Sequence, residues 1–258
     1  MERTLDDYAH SNGLKNTNSS FKVLFAILTM IICVISTSPV IPLIITFLMM
    51  FLIIFWAKIP FKFYLKFISI PLFFGIMTFL FMTLFFGMVD PWFKINLINV
   101  IVYKDGFNLG AMVFSRILGG FSCLGFLALT TPMTEIFSLL EGFKIPLVIL
   151  EIAMMMYRYI FVFLEEATNM YQSQKTRLGY LSIKGSFKSL GILASNLFIR
   201  TWMRGEQVYI SMESRCYDGS IKTFKTQNSI STKNMALLVS FEFLLIIGTY
   251  LTASFKIL

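Results

Sequence analysis

The chain has 258 residues, of which 57% are apolar, 14% are charged and 29 are Phe, and its mean hydropathy is +0.75. This composition argues against a soluble domain and indicates a membrane protein. The net charge of +8 does not indicate nucleic-acid binding, because no RNA- or DNA-binding motif accompanies it. An excess of Lys and Arg is instead typical of cytoplasmic loops beside anionic lipid.

Five hydrophobic segments come close to the roughly 20 helical residues that a bilayer core requires. They occupy residues 21–37, 40–57, 67–88, 108–130 and 235–255. Pro39 and Pro42 predict a tight link between the first two segments, since each proline disfavours a continued helix. The sequence therefore predicts an all-α, polytopic integral membrane protein with about five transmembrane helices.

The fourth segment is rich in small residues. Ser115, Gly119 and Cys123 recur every four positions, which predicts a face on which another helix packs closely. Arg116 is the one charge in the spans that looks buried. We expect it to reach towards the outer surface or to pair with another helix, rather than to take part in transport.

Residues 146–164 decide the predicted topology, because they are apolar enough to span but contain Glu151 and Arg158. If they do not span, the amino terminus, the lysine-rich loop after the second segment and residues 131–234 share one side. That side then holds 18 of the 22 Lys and Arg residues, as is typical of the cytoplasm. We therefore predict that residues 146–180 form a long amphipathic helix at the cytoplasmic face or partly sunk in it.

This topology gives three regions. Residues 1–130 hold a cytoplasmic amino-terminal tail and four transmembrane helices, residues 131–234 form cytoplasmic amphipathic helices, and residues 235–258 form the last transmembrane helix. The middle region contains 12 of the 22 Lys and Arg residues. We therefore expect the function of the chain to depend on helices at the cytoplasmic side.

A second, two-sided helix is predicted over residues 195–215. At about 100° per residue, its side chains separate into a cationic face and an apolar face. The cationic face carries Arg200, Arg204, Gln207, Ser211 and Arg215, and the opposite face carries Phe198, Trp202, Tyr209 and Met212. The pattern favours a lipid surface and a protein partner about equally as what this amphipathic helix contacts.

Catalysis has little support in the sequence. Motifs for nucleotide phosphates, for a nucleophilic serine turn and for a zinc-protease helix do not occur. His10, the only histidine, lies in a polar stretch that favours a solvated side chain over a metal ligand. The three cysteines, Cys33, Cys123 and Cys216, lack metal-binding spacing. We expect a non-enzymatic chain that itself binds no metal or cofactor.

A self-contained carrier or channel whose basic helices bind lipid is the alternative function. It predicts polar groups that converge at mid-membrane, and apart from Arg116 we find none in the predicted spans. A membrane-embedded enzyme is a third class, for which a nucleophile or metal cluster would be expected at the cytoplasmic boundary.

Five short stretches carry a family resemblance. In chain order they are residues 7–14 (DYAHSNGL), 121–135 (FSCLGFLALTTPMTE), 156–161 (MYRYIF), 177–180 (RLGY) and 214–219 (SRCYDG). Together with the five-span profile, they resemble the transmembrane T component of energy-coupling factor transporters, in the cobalt-type CbiQ family. The resemblance covers nearly the whole chain.

The resemblance implies a multi-pass subunit of a prokaryotic plasma membrane. It would couple ABC-type ATPase subunits, which bind ATP, to a separate integral membrane subunit that captures Co²⁺ or sometimes Ni²⁺. Two Arg-containing motifs of the family dock in grooves of the ATPases. The matching triplets here are Thr176-Arg177-Leu178 and Ser214-Arg215-Cys216. Both depart from the commonest form, Ala-Arg-Gly, and the loss of Gly bears on how closely the backbone approaches a partner.

Overall fold

The structure is a computed structural model that describes residues 5–15, 17–86, 91–95, 100–142, 145–219 and 232–252. These residues are predominantly helical, so the predicted all-α class is confirmed. The helices are α1 (Leu5–Ser11), α2 (Ser19–Ile35), α3 (Val40–Phe51), α4 (Phe61–Phe85), α5 (Lys104–Thr130), α6 (Met133–Glu141), α7 (Leu147–Thr176), α8 (Ile183–Glu213) and α9 (Thr232–Leu251). A π-helical turn, Leu52–Trp56, continues α3.

A short antiparallel hairpin between α4 and α5 was not predicted. Its strands are β1 (Pro91–Ile95) and β2 (Val100–Tyr103), with Ile95 opposite Val100 and a register irregularity between Pro91 and Phe93. The sequence signal was the run Val-Ile-Val-Tyr in β2, since β-branched and aromatic residues favour strands.

Two compact units divide the chain, and the first comprises Met1–Ile136 together with Thr226–Leu258. In this unit α5 packs against α2, α3 and α4, and α9 packs against α2 and α3. The core contains Cys33, Ile45, Met49 and Leu129. On α4, large apolar side chains such as Phe73 are exposed, as expected for a helix that faces lipid.

Three of the described helices, α4, α5 and α7, are long and apolar enough to cross a membrane by length and composition. Shorter apolar helices are Ser19–Ile35, Val40–Trp56 and Met235–Leu251. The predicted polytopic membrane protein is thus confirmed. Since α7 meets the same criteria as α4 and α5, its cytoplasmic placement stays a prediction.

The span boundaries differ from the predicted ones mainly at amino-terminal ends. Helix α4 begins at Phe61 rather than at residue 67, and α5 begins at Lys104 rather than at residue 108. Polar and charged residues in these first turns lower the local hydropathy, although the backbone is already helical. Pro42 lies within the first turn of α3, where a missing N–H is tolerated. The tight link before α3 is confirmed.

The predicted close packing on α5 is also confirmed. Ser115 and Cys123 are buried, and a Cβ added at Gly119 would lie 2.5 Å from the Sγ of Cys33 and 3.0 Å from a backbone oxygen of α3. Arg116 donates from Nε and Nη2 to the carbonyl oxygen of Ser36, at 3.1 and 2.6 Å. It therefore pairs with the end of α2, one of its two expected roles.

The second compact unit, Phe137–Lys225, contains the two longest helices, α7 and α8. The predicted second helix, residues 195–215, in fact begins at Ile183 and ends at Glu213. Its start was missed because glycines weaken the helical pattern there. The helix begins where the Oγ of Ser182 accepts a hydrogen bond from the N–H of Gly185 at 3.1 Å, a common N-terminal cap.

Candidate functional site

The first arginine motif lies at the turn that follows α7. The N–H of Leu178 donates to the carbonyl of Lys175, and the N–H of Gly179 donates to that of Gln174, both at 3.0 Å. Leu178 has a left-handed backbone, with φ of 60°. These are the two hydrogen bonds and the left-handed residue of a Schellman motif. Arg177 immediately precedes the left-handed residue, and its side chain is exposed.

The second arginine motif has the same local structure at the end of α8. The N–H of Cys216 donates to the carbonyl of Glu213 at 3.0 Å, and that of Tyr217 donates to the carbonyl of Met212 at 3.1 Å. Cys216 is left-handed, with φ of 58°. Arg215 therefore occupies the position that Arg177 occupies in the first motif, and its side chain is likewise exposed.

The positive φ at the third residue of each triplet bears on the absence of glycine there. A left-handed backbone costs an L-residue about 1–2 kcal/mol, while glycine adopts it without a steric penalty. Leu178 and Cys216 stand where the motif implied by the resemblance has Gly, and both have a left-handed backbone. At both positions the chain therefore has a backbone that Gly would adopt without a steric penalty.

Side-chain hydrogen bonds fix the turn around the first motif. The Nε2 of Gln174 donates to the carbonyl of Ser189 at 3.1 Å, and the hydroxyl of Tyr180 donates to the Oε1 of Gln174 at 2.6 Å. The Oγ of Ser189 donates to the carbonyl of Gly179 at 2.8 Å. The ring of Tyr180 lies 4.9 Å from that of Tyr171, centroid to centroid. The end of α7, the turn and the start of α8 are therefore one bonded unit.

The second motif is tied to α7 by its tyrosine. The hydroxyl of Tyr217 donates to the Oε2 of Glu151 at 2.9 Å, and Glu151 is buried. This hydrogen bond raises the pKa of the Tyr217 phenol, because it stabilises the protonated form. Glu151, whose charge in the sequence bears only on topology, thus has a structural role that the sequence did not predict.

Between the two helices lies a polar cleft of about 420 Å³. Its lining includes Glu166, Asn169, Gln174, Arg177, Asn196 and Arg200. Arg200 and Glu166 approach to 4.0 Å across it with exposed side chains, a pair that contributes little to stability. Arg204, also on the predicted cationic face, is exposed.

The apolar face predicted for α8 is not covered by the part of the chain that the structure describes. Phe198, Trp202 and Tyr209 are each more than 60% exposed, and Met212 is half-buried. Phe198 and Trp202 lie side by side, with ring centroids 6.4 Å apart. A lipid or protein partner is still needed to bury this face.

Two of the five family stretches meet at the end of α5. The Nδ2 of Asn12 donates to the carbonyls of Leu129 and Thr130, at 3.3 and 3.1 Å, and the Nζ of Lys22 also donates to Thr130 at 3.1 Å. The last carbonyls of a helix lack partners within it, and a cation favours this negative end. The stretch 7–14 therefore caps the stretch 121–135, a structural role that the sequence analysis missed.

His10 lies on α1 with an exposed side chain, 3.5 Å from the carboxylate of Asp6. Cys33 and Cys123 are buried, Cys216 is exposed, and all three are free. Within the described ranges, no group of three or more His, Cys, Asp or Glu side chains is placed to hold a metal ion.

Glu242 is a buried acid that the sequence analysis missed. It lies in α9, only 6% exposed, and neither carboxylate oxygen has a hydrogen-bond partner among the described residues. Leu238 and Leu245, which lie one turn before and one turn after Glu242 on the same face of α9, are also buried. The expectation that Arg116 is the one buried charge in the spans is therefore wrong. The signal was a single Glu within an otherwise apolar segment.

The fold is that of a polytopic membrane protein with a helical insert. Apolar helices pack around α5 in the first unit, and the second unit contains two long helices, α7 and α8, each followed by an arginine turn. Residues 10–226 match the family CbiQ, described as cobalt transport protein. The chain belongs to this family, as the sequence motifs predicted. It is thus a multi-pass membrane transport protein.

Three relatives match the chain over different lengths. An uncharacterized protein of Methanocaldococcus jannaschii is 46% identical over 255 residues, which are 98% of this chain and 95% of that protein. A putative fused cobalt transport protein CbiMQ of Methanocorpusculum labreanum is 38% identical over 84% of this chain and 37% of its own length. The energy-coupling factor transporter transmembrane protein EcfT of Thermanaerovibrio acidaminovorans is 30% identical over 46% of this chain and 49% of its own length.

Proposed function

We propose that the chain is the transmembrane coupling (T) subunit of an energy-coupling factor importer, for cobalt or nickel. Membership of a cobalt transport protein family and similarity to a protein named EcfT support this proposal. The single observation that carries it is the pair of exposed arginines in matching Schellman turns, one at the carboxyl end of α7 and one at the carboxyl end of α8.

The separation of the two arginines suits two partner subunits. Helix α8 has 31 residues, which at about 1.5 Å per residue span roughly 46 Å. Arg177 precedes this helix and Arg215 follows it. Each guanidinium is a fixed fork of donors that suits carboxylates or backbone carbonyls in a partner groove. In the proposal, each arginine binds one ABC-type ATPase subunit, and the ATPases, not this chain, bind and hydrolyse ATP.

The second partner is a separate integral membrane subunit that captures the metal ion. The relative named CbiMQ supports it, because this chain matches only 37% of that fused protein and so corresponds to one of its parts. We assign the uncovered face of Phe198, Trp202 and Tyr209 to this subunit and to lipid. The metal ion is cargo, captured by the partner.

In this proposal the amino terminus and residues 131–234 lie in the cytoplasm of a prokaryotic cell, because most Lys and Arg residues fall there. ATP-driven closing and opening of the ATPases moves α7 and α8 relative to each other. Hydrogen bonds join α7 and α8 at the turn and at Tyr217, so the movement changes the spacing of the helices between these two ends. The ion pair described across the cleft there is long and exposed, which supports such movement. A disulfide that locks α7 to α8 should abolish ATP-driven metal uptake.

Affinity purification of the tagged chain from native membranes tests the proposal. The charge-reversal variant Arg177→Glu, Arg215→Glu is compared with the native chain and with Arg200→Glu, Arg204→Glu, which makes the same charge change away from the turns. An ABC-type ATPase should accompany the native chain and the control, and should be lost from the docking variant. Absence of ATPase from the native chain, or metal uptake into liposomes by the purified chain alone, would contradict the proposal and favour the carrier alternative.

A further inference from the structure

We propose that the two docking ends are unequal, and that the turn between α7 and α8 is the stronger one. In this turn Leu178, Leu181 and Ile183 enter an apolar groove with an acidic rim on one ATPase subunit. The inference rests on the proposed function and specifies the chemistry of the partner surface. Three features of the turn support it: its charge, its exposed apolar side chains and its rigidity.

The charge around the two arginines differs. Within ten residues of Arg177 on either side in the sequence there are three cations, Lys175, Arg177 and Lys184, and no acid; Glu166, which lines the same cleft, lies 4.0 Å from Arg200. The same window around Arg215 contains three cations and three acids. An acidic groove would attract the first end and gain little from the second. Grooves of equal charge on two ATPase subunits would therefore bind the two ends with different strength.

The exposed apolar side chains differ in the same direction. Leu178, Leu181, Ile183 and Phe187 are between 65% and 81% exposed. Such a cluster within ten residues of a turn is unusual on a surface that contacts only water. The structure describes four residues after Arg215, up to Gly219, and the one large apolar side chain among them is Tyr217, which is 37% exposed and held by Glu151. The four residues after Arg177 include Leu178 and Leu181, which are 65% and 78% exposed, so over this equal stretch the first end presents more apolar area to a partner.

The rigidity of the turn favours a protein groove over a lipid surface. A cationic and apolar tip also suits anionic lipid, but a lipid surface adapts to any shape. The hydrogen bonds among Gln174, Tyr180, Ser189 and Gly179 hold the tip in one conformation before it binds. This preorganisation lowers the ordering cost of association, which is an advantage for a partner of fixed shape.

The test uses the full chain in nanodiscs of neutral lipid and the ATPase that accompanies the native chain, produced separately. Leu181→Ser with Ile183→Ser should weaken ATPase binding by at least about 30-fold, as expected for apolar residues at the centre of an interface. Arg215→Gln should weaken it by less than about fivefold. Ile199→Ser, which removes an exposed isoleucine from the middle of α8, is the matched control and should bind as the native chain does.

A fluorescent label separates the two environments. Bimane is attached at Leu181→Cys in a Cys216→Ala background, in which the remaining cysteines are buried. The label should report an apolar environment when ATPase is added, and no change when phosphatidylglycerol replaces the neutral lipid. A change with anionic lipid alone would overturn the inference.

The other outcomes are equally decisive. Native binding by the Leu181→Ser, Ile183→Ser variant, or equal losses for that variant and Arg215→Gln, would overturn the inequality and leave the coupling function intact. Absence of any ATPase partner for the native chain would instead refute the proposed function. Circular dichroism and size-exclusion profiles that match the native chain establish that each variant is folded.

Discussion

Replacing Cys216 tests the left-handed turn at the second arginine motif. Its φ of 58° costs about 1–2 kcal/mol for an L-residue, and Gly would remove this cost. Gly in turn loses about 0.5–1 kcal/mol more than other residues on folding, through backbone entropy. Cys216→Gly should therefore stabilise the end of α8 by about 0.5–1 kcal/mol. Cys216→Val should weaken it by about 1 kcal/mol, because a β-branched residue is a strong outlier at positive φ.

Hydrogen exchange at the amide of Tyr217 measures this effect locally, since this amide donates to Met212 across the turn. A gain of 0.5–1 kcal/mol corresponds to about two- to fivefold more protection. Cys216→Ala is the control, because it removes the thiol but keeps a Cβ, and its protection should stay close to that of the native chain. Equal protection in the Gly and Val variants would refute the left-handed assignment.

Three further substitutions test the first compact unit by thermal unfolding in detergent. Asn12→Ala should destabilise it by about 1–3 kcal/mol, because carbonyls at the end of α5 lose a donor, whereas His10→Ala, at an exposed site, should change stability by less than about 0.5 kcal/mol. Gly119→Ala should lower the free energy of unfolding by about 1–3 kcal/mol through overpacking. Gly120→Ala, with nothing within 4 Å of the new Cβ, should raise it by up to about 1 kcal/mol. Equal melting temperatures of the two variants would contradict the close packing. Glu242→Leu should raise the melting temperature, because an unpartnered buried polar group costs about 1–3 kcal/mol; a fall would show that the carboxyl group has a partner.

Much of the membrane unit could be predicted because hydropathy reports directly on helices that lie in lipid. All five predicted segments correspond to helices, and the small residues of α5 pack as their spacing indicated. The amino-terminal ends were placed too late because hydropathy does not detect a charged first turn. Helix α8 was placed too late for a different reason, since its first turns contain Gly185 and Gly191.

The contacts within the candidate site could not be predicted from a single sequence. Asn12 and Thr130 are 118 residues apart, and nothing in either stretch indicates that one caps the other. Glu242 was overlooked because one acid in twenty residues hardly changes the hydropathy of a span. The left-handed turns were concealed for another reason, because Leu178 and Cys216 are residue types that seldom adopt positive φ.

The left-handed turns also show which residue of each arginine motif determines its backbone conformation. In each triplet the third residue sets the shape of the helix end, and the arginine before it takes its direction from that shape. A triplet with Leu or Cys in the third position thus adopts a left-handed turn that Gly would adopt without strain, at a conformational cost of about 1–2 kcal/mol. What differs between the two ends lies outside the triplets: a cationic, apolar and bonded tip at one end, and acids with a tethered tyrosine at the other. In the docking proposed above, binding strength should follow these neighbours, so two motifs with the same backbone should contribute unequally to ATPase binding.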